Sequence, residues 1–153
     1  RPSPIPPAPS PLAILDPAVR DAIEAQDPHA GLAIRSLQLD RLGWQQVRDL
    51  HALTNLERLD LSHNYLALVT DLGTLHFLNC LILDDNPISI AALREFAEAR
   101  IAAHITTPLV VSIHDTPADD ALAPLAFQSN PALWKLLLDA HIDLSAGDAK
   151  TRC

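Results

Sequence analysis

The sequence predicts an α/β fold in which short parallel strands stack into a solenoid, with a helix capping its N-terminal end and helices after its last strand. Two observations carry this prediction. Apolar residues recur every 22 residues through the middle of the chain, and each period holds a short alternating segment typical of a strand. Helical patterns lie on both sides of these units.

The composition of the 153 residues excludes several classes of protein. Hydrophobic residues make up 48% and charged residues 20%, which is the balance of a globular domain with a core, and no apolar run is long enough for a transmembrane helix. The net charge of -8 would repel phosphate backbones and anionic lipid, so we expect neither a nucleic-acid nor a membrane partner. We expect a cytoplasmic location. Because the sequence begins at Arg1, an exported or periplasmic location after signal removal is the alternative.

Residues 1–12 form a predicted proline-rich flexible arm. Six of the thirteen prolines lie between Arg1 and Pro11, which favours an extended polyproline II conformation. Arg1, Pro4 and Pro7 match the spacing that SH3-type domains bind, and a plain tether is the other interpretation.

Residues 13–115 form the predicted repeat domain. Its cap helix begins at Asp16-Pro17, because an aspartate accepts hydrogen bonds from free helix amides and proline suits the first helical position. It ends near Gln26. Repeats over 34–55, 56–77 and 78–88 follow, and a helix over 89–103 and a strand over 108–115 close the array. Leu93, Phe96 and Ile101 should form the buried face of this helix, with Arg94, Glu95, Glu98 and Arg100 in solvent.

The alternation within a repeat predicts which side chains are buried. In LERLDLSHNYL (56 to 66), Leu59 and Leu61 point inward and stack on their equivalents in neighbouring repeats. Asn64 and Asn86 lie where the chain leaves the strand, where an amide can satisfy backbone groups that would otherwise be buried unpaired. Leu42 takes this place in the first repeat, so its turn should be atypical.

LERLDLSHNYL (56 to 66) and LNCLILDDNPI (78 to 88) resemble leucine-rich repeats. The period is similar to the 22-residue class found in regulatory subunits of protein phosphatases and in the Rab geranylgeranyl transferase alpha subunit. The resemblance implies a short leucine-rich repeat solenoid, with the helix over 89–103 and the strand after it as its cap.

Residues 116–153 have a different pattern. Thr116 followed by Pro117 and Asp119 is a variant of the capping box and opens one helix, and Asn130-Pro131 opens another. The segment NPALWKLLLDAHIDLSAGDAKTR (130 to 152) resembles the second half of an ankyrin repeat. That resemblance implies a helical, ankyrin-like C-terminal hairpin, and a helical cap of similar appearance is the alternative.

Catalytic motifs are sparse. The sequence has no glycine-rich phosphate loop, no GxSxG and no HExxH, so we expect no enzyme activity, no cofactor and no metal site. His114 next to Asp115 is the best catalytic candidate. Asp84 and Asp85 are adjacent and should diverge, so they cannot act as an acid and base pair. Cys80 should point outward, and we expect an inert thiol, with modification or a bridge as the alternative.

The outward strand positions form one predicted concave strip that binds a protein. Its residues are Gln38, Asp40, Arg58, Asp60, Ser62, Cys80, Ile82, Asp84 and His114. Cys80 and Ile82 should form an uncovered apolar pair ringed by polar residues, as in a binding hot spot. The sequence thus predicts a non-enzymatic protein–protein interaction domain whose partner carries a basic patch, with an inhibitor or immunity-type binder as one form. An accessory or regulatory domain of a larger enzyme is the alternative, and a structural brace is another.

Overall fold

The computed structural model describes residues 15–47, 50–122 and 131–145. These residues form a mixed α/β fold with a five-stranded parallel sheet in the order β1-β2-β3-β4-β5. The strands are β1 (Ser36–Gln38), β2 (Arg58–Asp60), β3 (Cys80–Ile82), β4 (Leu109–Ser112) and β5 (Ile142–Ser145). The α-helices are α1 (Pro17–Gln26), α2 (Ile90–Ala102), α3 (Pro117–Leu122) and α4 (Pro131–Asp139). The proline-rich arm over 1–12 lies outside the described residues.

The sheet register follows the 22-residue spacing of the sequence. Leu37 lies opposite Leu59, and Leu59 lies opposite Leu81. All three side chains are buried in the core, because alternation along each strand turns the leucines to the same side. The predicted stacking of these leucines is confirmed. The ladder continues through Val111 on β4 and Leu144 on β5.

Asn64 holds two successive turns together. Its Nδ2 donates to the carbonyl oxygens of Leu61 at 2.9 Å and of Leu39 at 3.1 Å. Its Oδ1 accepts from the backbone amides of Leu42 at 3.0 Å and Trp44 at 3.2 Å. The amide therefore satisfies backbone groups both in its own turn and in the preceding one, as the sequence predicts.

Asn86 repeats this arrangement one unit later. Its Nδ2 donates to the carbonyl oxygens of Leu83 and Leu61, and its Oδ1 accepts from the amide of Leu66 at 3.0 Å. In the next unit Thr116 donates through Oγ1 to the carbonyl oxygen of Ile113. In the first unit the equivalent position is Leu42, whose side chain has no amide group and is 41% exposed.

The inner face of the sheet packs against short helical segments. The 3₁₀ turns Leu50–Ala52 and Thr70–Thr74 return the chain behind the strands, and α2 packs beside the second of these turns. Gly73 permits this close packing, because a Cβ atom there would stand 2.6 Å from Cβ of Ala99 on α2.

The buried face of α2 differs from the expected one. Leu93 and Phe96 are buried as predicted, but Ile101 is 37% exposed and Arg100 is fully buried. The interval from Leu93 to Arg100 is two helical turns, so the period of the helix brings Arg100 rather than Ile101 onto the core side.

Arg100 joins α2 to the segment that follows α4. Its Nε donates to the carbonyl oxygen of Ala140 at 3.1 Å, and Nη2 donates to the carbonyl oxygen of Thr107. Ala140 directly follows the last residue of α4, where free carbonyls carry partial negative charge that a guanidinium stabilises. Burial lowers the pKa of Arg100 below its ordinary value.

Residues 142–145 differ from the expected hairpin. They form β5, which pairs in parallel with β4, and the rest of the expected hairpin loop lies outside the described residues. Leu137 on α4 is buried, Trp134 is half-buried against the core, and α4 packs against α2. The predicted ankyrin-like hairpin is thus not confirmed, because its described part continues the parallel sheet as β5.

Three predicted helix starts are confirmed. Asp16 accepts from the amide of Ala18 at 3.0 Å and caps α1, Ser89 caps α2, and Thr116 accepts from the amide of Asp119 at 3.1 Å at the start of α3. The last residue of α1, Gln26, has a second role. Its side-chain amide donates to the carbonyl oxygen of Gln38 and accepts from the Gln38 amide, so it covers the backbone of the edge strand β1.

Candidate protein-binding face

The face of the sheet opposite the leucine core is termed the outer face. Its side chains are those of Ser36, Gln38, Arg58, Asp60, Cys80, Ile82, Val110, Ser112 and Asp143, together with Asp40, Ser62, Asp84 and His114 shortly after the strands. Because the strands are parallel and in register, these residues stand in ranks across the sheet, and one rank runs through Gln38, Asp60, Ile82 and Ser112. All nine residues predicted to bind a partner lie on this face.

Five of the predicted residues are accessible from outside. Gln38 is exposed, and Asp40, Arg58, Asp84 and His114 are half-buried. They lie on β1 and β2 or directly after β1, β3 and β4. A protein that touched this face would meet these polar side chains first.

The other four predicted residues are buried. Asp60 is 5% exposed, Ser62 and Cys80 are 1% exposed, and Ile82 is 0% exposed. The expectation of an uncovered apolar pair at Cys80 and Ile82 was therefore wrong. Cys80 is disulfide-bonded, so the expectation of an inert thiol was wrong as well. Alternation identified the face on which these side chains lie, but it carries no information on whether another part of the chain covers that face.

Two aspartates hold the outer face together. Oδ1 of Asp60 accepts from the amide of Ser62 at 2.9 Å and from its Oγ at 2.6 Å. Oδ1 of Asp84 accepts from Oγ of Ser112 and from the amide of His114 at 3.0 Å. The hydrogen bond between Asp84 and the amide of His114 joins the ends of β3 and β4 across thirty residues of sequence. No local motif could reveal this contact.

The adjacent carboxylates diverge as predicted. Asp84 binds Ser112 on the outer face, whereas Oδ2 of Asp85 lies 2.9 Å from Nδ1 of His63. Asp85 and His63 both have left-handed backbone conformations, with φ of 54° and 57°. Their side chains thus leave the strand direction, and the two carboxylates do not share one site.

The outer face is mainly acidic. Asp40, Asp60, Asp84 and Asp143 lie on it, against one arginine, Arg58. The carboxylate of Asp40 also pairs with Nη1 of Arg41, beside the face, at 3.1 Å. The Nε atom of Arg58 is buried and has no hydrogen-bond partner in the described structure. The candidate catalytic residue His114 contributes its backbone amide to Asp84, while its Nε2 is buried and also lacks a partner there.

Phe77 was missed by sequence reasoning. Its side chain is 57% exposed and lies between two shallow cavities of about 260 Å³ and 340 Å³. The smaller cavity is also lined by Arg35 and Glu57, which precede β1 and β2. A single aromatic residue outside the leucine positions of the repeat gave no pattern that could have distinguished it.

Metal-binding clusters and membrane-spanning helices are both absent from residues 15–47, 50–122 and 131–145. Within these ranges no three histidine, cysteine, aspartate or glutamate side chains are grouped so that they could hold a metal ion. No helix in the same ranges is both long and apolar enough to cross a membrane.

Comparison with known proteins gives no family for the chain. No protein-family model matches it, and no curated protein matches its sequence.

Proposed function

We propose that this chain is a non-enzymatic protein-interaction domain, a short leucine-rich repeat solenoid that binds a protein partner on the outer, concave face of its sheet. The observation that carries the proposal is the register: Ser36, Arg58 and Cys80 stand opposite one another at 22-residue intervals. Side chains from separate repeats are thereby brought into ranks on one surface, which is how repeat proteins build extended binding sites.

The charge of the accessible residues favours a partner with a basic patch. Asp40 and Asp84 are half-buried at the end of the face where the strands finish, and the side chain of Asp40 is 22% exposed. Charges at such a rim change the rate and salt dependence of association more than they change the final affinity. The partner should therefore associate more slowly as the salt concentration rises.

Affinity capture with matched baits tests this proposal. The test bait is Gln38→Lys with Asp40→Lys, two accessible positions on and after β1. The control bait is Glu95→Lys with Glu98→Gln on the exposed side of α2, which raises the net charge by the same amount away from the outer face.

A protein that the parent and the control bait enrich equally, and that the test bait loses, would support binding on the outer face. Retention of every enriched protein by the test bait, at the level seen with the parent, would contradict it. Circular dichroism melts of all three baits, equal within a few degrees, must accompany the comparison so that unfolding does not mimic loss of binding.

A further inference from the structure

A groove runs along the edge of the sheet where the strands begin. It consists of three shallow cavities among the described residues, with volumes of about 490, 260 and 340 Å³. Arg35 lines both the first and the second cavity, and Phe77 lines both the second and the third. The three cavities therefore follow one another along the segments that lead into β1, β2, β3 and β4, and together they are termed the edge groove.

The 22-residue period builds the edge groove as it builds the outer face. Ala33, Asn55 and Phe77 occupy equivalent positions in three successive units. Ala33 lines the first cavity, Asn55 lines the second, and Phe77 lies between the second and the third. Stacking of the repeats thus aligns side chains at the starts of the strands as well as across their middles.

Hydrogen bonds between neighbouring units hold the walls of the edge groove. The carbonyl oxygen of Arg35 accepts from the amide of Glu57 at 2.7 Å, and that of Glu57 accepts from the amide of Asn79 at 2.8 Å. Oγ1 of Thr107 donates to the carbonyl oxygen of His76 at 2.7 Å. The backbone of the groove is therefore ordered before a ligand arrives, which reduces the entropy cost of binding.

The shape of the edge groove fits an extended peptide better than a compact small molecule. A small-molecule pocket encloses most of its ligand, whereas Phe77 in the middle of this groove is 57% exposed. Linked shallow cavities instead suit a chain whose successive side chains enter them in turn. The ring of Phe77 gives an aromatic side chain of such a peptide a surface on which to stack.

The polar groups on either side of Phe77 favour an acidic residue in the peptide. Two histidines and four threonines line the third cavity, and its described lining contains no carboxylate. In the second cavity Oε2 of Glu57 lies 3.5 Å from Nε of Arg35, so the charge of this carboxylate is already balanced. Imidazole, hydroxyl and guanidinium groups all donate hydrogen bonds, and a carboxylate accepts them. In a chain with a net charge of -8, this part of the surface is the complement of an acidic ligand.

We propose that the edge groove binds an extended segment of a partner protein in which an aromatic residue stands next to an aspartate or glutamate. The aromatic side chain stacks on Phe77, and the carboxylate accepts hydrogen bonds in the third cavity. The inference goes beyond the proposed function, because it assigns a second binding surface at the edge of the sheet, and this surface binds whether or not the outer face does.

Selection of random short peptides displayed on phage, with the full chain as the immobilised target, tests this proposal. The enriched peptides should carry an aromatic residue beside an acidic one. The dissociation constant of a synthetic peptide of the enriched sequence is then measured by fluorescence anisotropy. Phe77→Ser should bind this peptide at least about tenfold more weakly than the parent. The matched control is Leu68→Ser, since Leu68 is 58% exposed and does not line the edge groove, and it should bind like the parent.

A second pair of variants tests the acidic residue and does not depend on Phe77. Thr106 is exposed in the third cavity, so Thr106→Glu places a carboxylate where the proposal puts that of the peptide. Thr106→Glu should weaken binding by about tenfold, whereas Thr106→Gln, which is of similar size and uncharged, should change it by less than about twofold. The pair also decides the question if Phe77→Ser loses its fold in circular dichroism.

Four results would overturn the proposal. They are no enrichment, enrichment of basic or purely apolar peptides, equal dissociation constants for Phe77→Ser and the parent, and equal effects of the two Thr106 variants. Gln38→Lys with Asp40→Lys on the outer face should bind the peptide like the parent. Loss of peptide binding in that variant would place the peptide on the outer face and would also overturn the edge groove, while the proposed function would stand.

Discussion

Replacing Asn64 with alanine should strongly destabilise the fold without touching its hydrophobic core. The side chain is only 4% exposed and makes hydrogen bonds to two successive turns. Not all of its partners lose their last hydrogen bond in the variant. The carbonyl oxygen of Leu61 also accepts from Asn86, and the amide of Leu42 lies in an exposed loop that water can reach.

Two groups then remain without a hydrogen bond, the carbonyl oxygen of Leu39 and the amide of Trp44. A buried polar group that loses its partner costs ~1 to 3 kcal/mol. Allowing for some relaxation, Asn64→Ala should lower the free energy of unfolding by about 2 to 4 kcal/mol, a large part of the ~5 to 15 kcal/mol that a domain has.

Urea unfolding followed by circular dichroism measures this loss. The matched control is Asn55→Ala, since Asn55 is exposed and lies outside the strand exits. We expect the control to change stability by less than ~0.5 kcal/mol. A loss below about 1 kcal/mol for Asn64→Ala, or equal losses for the two variants, would refute the structural role of the asparagine.

Three further variants test the packing and the backbone. Leu59→Ala should lower the free energy of unfolding by ~2 to 5 kcal/mol, because it opens a cavity in the middle of the leucine ladder. A melting temperature within a degree or two of the parent's would show that Leu59 is not in the core. Gly73→Ala should lower the free energy of unfolding by ~1 to 3 kcal/mol, because the added methyl group clashes with Ala99. In a double-mutant cycle, Gly73→Ala should cost less when Ala99 is already replaced by glycine. Purely additive losses would exclude the clash. Arg41→Gly should stabilise the protein by up to ~1 kcal/mol in chemical denaturation, because Arg41 has φ of 57°, a left-handed conformation that glycine adopts without strain. Arg41→Ala keeps the Cβ atom and should not stabilise the protein. Equal effects of the two changes would count against backbone strain at this position.

The interior of the sheet could be predicted because its signals are periodic or local. A period of 22 residues places Leu37 opposite Leu59 and Leu59 opposite Leu81, and the structure has this register. The start of α1 at Pro17 follows from a capping aspartate and a proline, which act within one turn of helix. Such features depend on few residues that are close in sequence or repeat at a constant spacing.

The remaining features depend on contacts that sequence spacing does not encode. Burial of Ile82 requires protein on a second face of the sheet, and alternation cannot report it. β5 is only four residues long, and its pairing with β4 joins segments more than thirty residues apart. Arg100 was expected in solvent because arginine is seldom fully buried, yet its side chain is buried and donates to the backbone carbonyl oxygens of Ala140 and Thr107.

The dissociation constant of the captured partner tests the central claim, that the outer face binds a protein, most directly. It should be measured for the parent, for Gln38→Lys with Asp40→Lys, and for Glu95→Lys with Glu98→Gln, each at low and at physiological salt. Binding on the outer face predicts that the first variant binds at least about tenfold more weakly than the parent, a loss of ~1.4 kcal/mol, and that the α2 variant binds like the parent. Equal dissociation constants for all three proteins at both salt concentrations would contradict it.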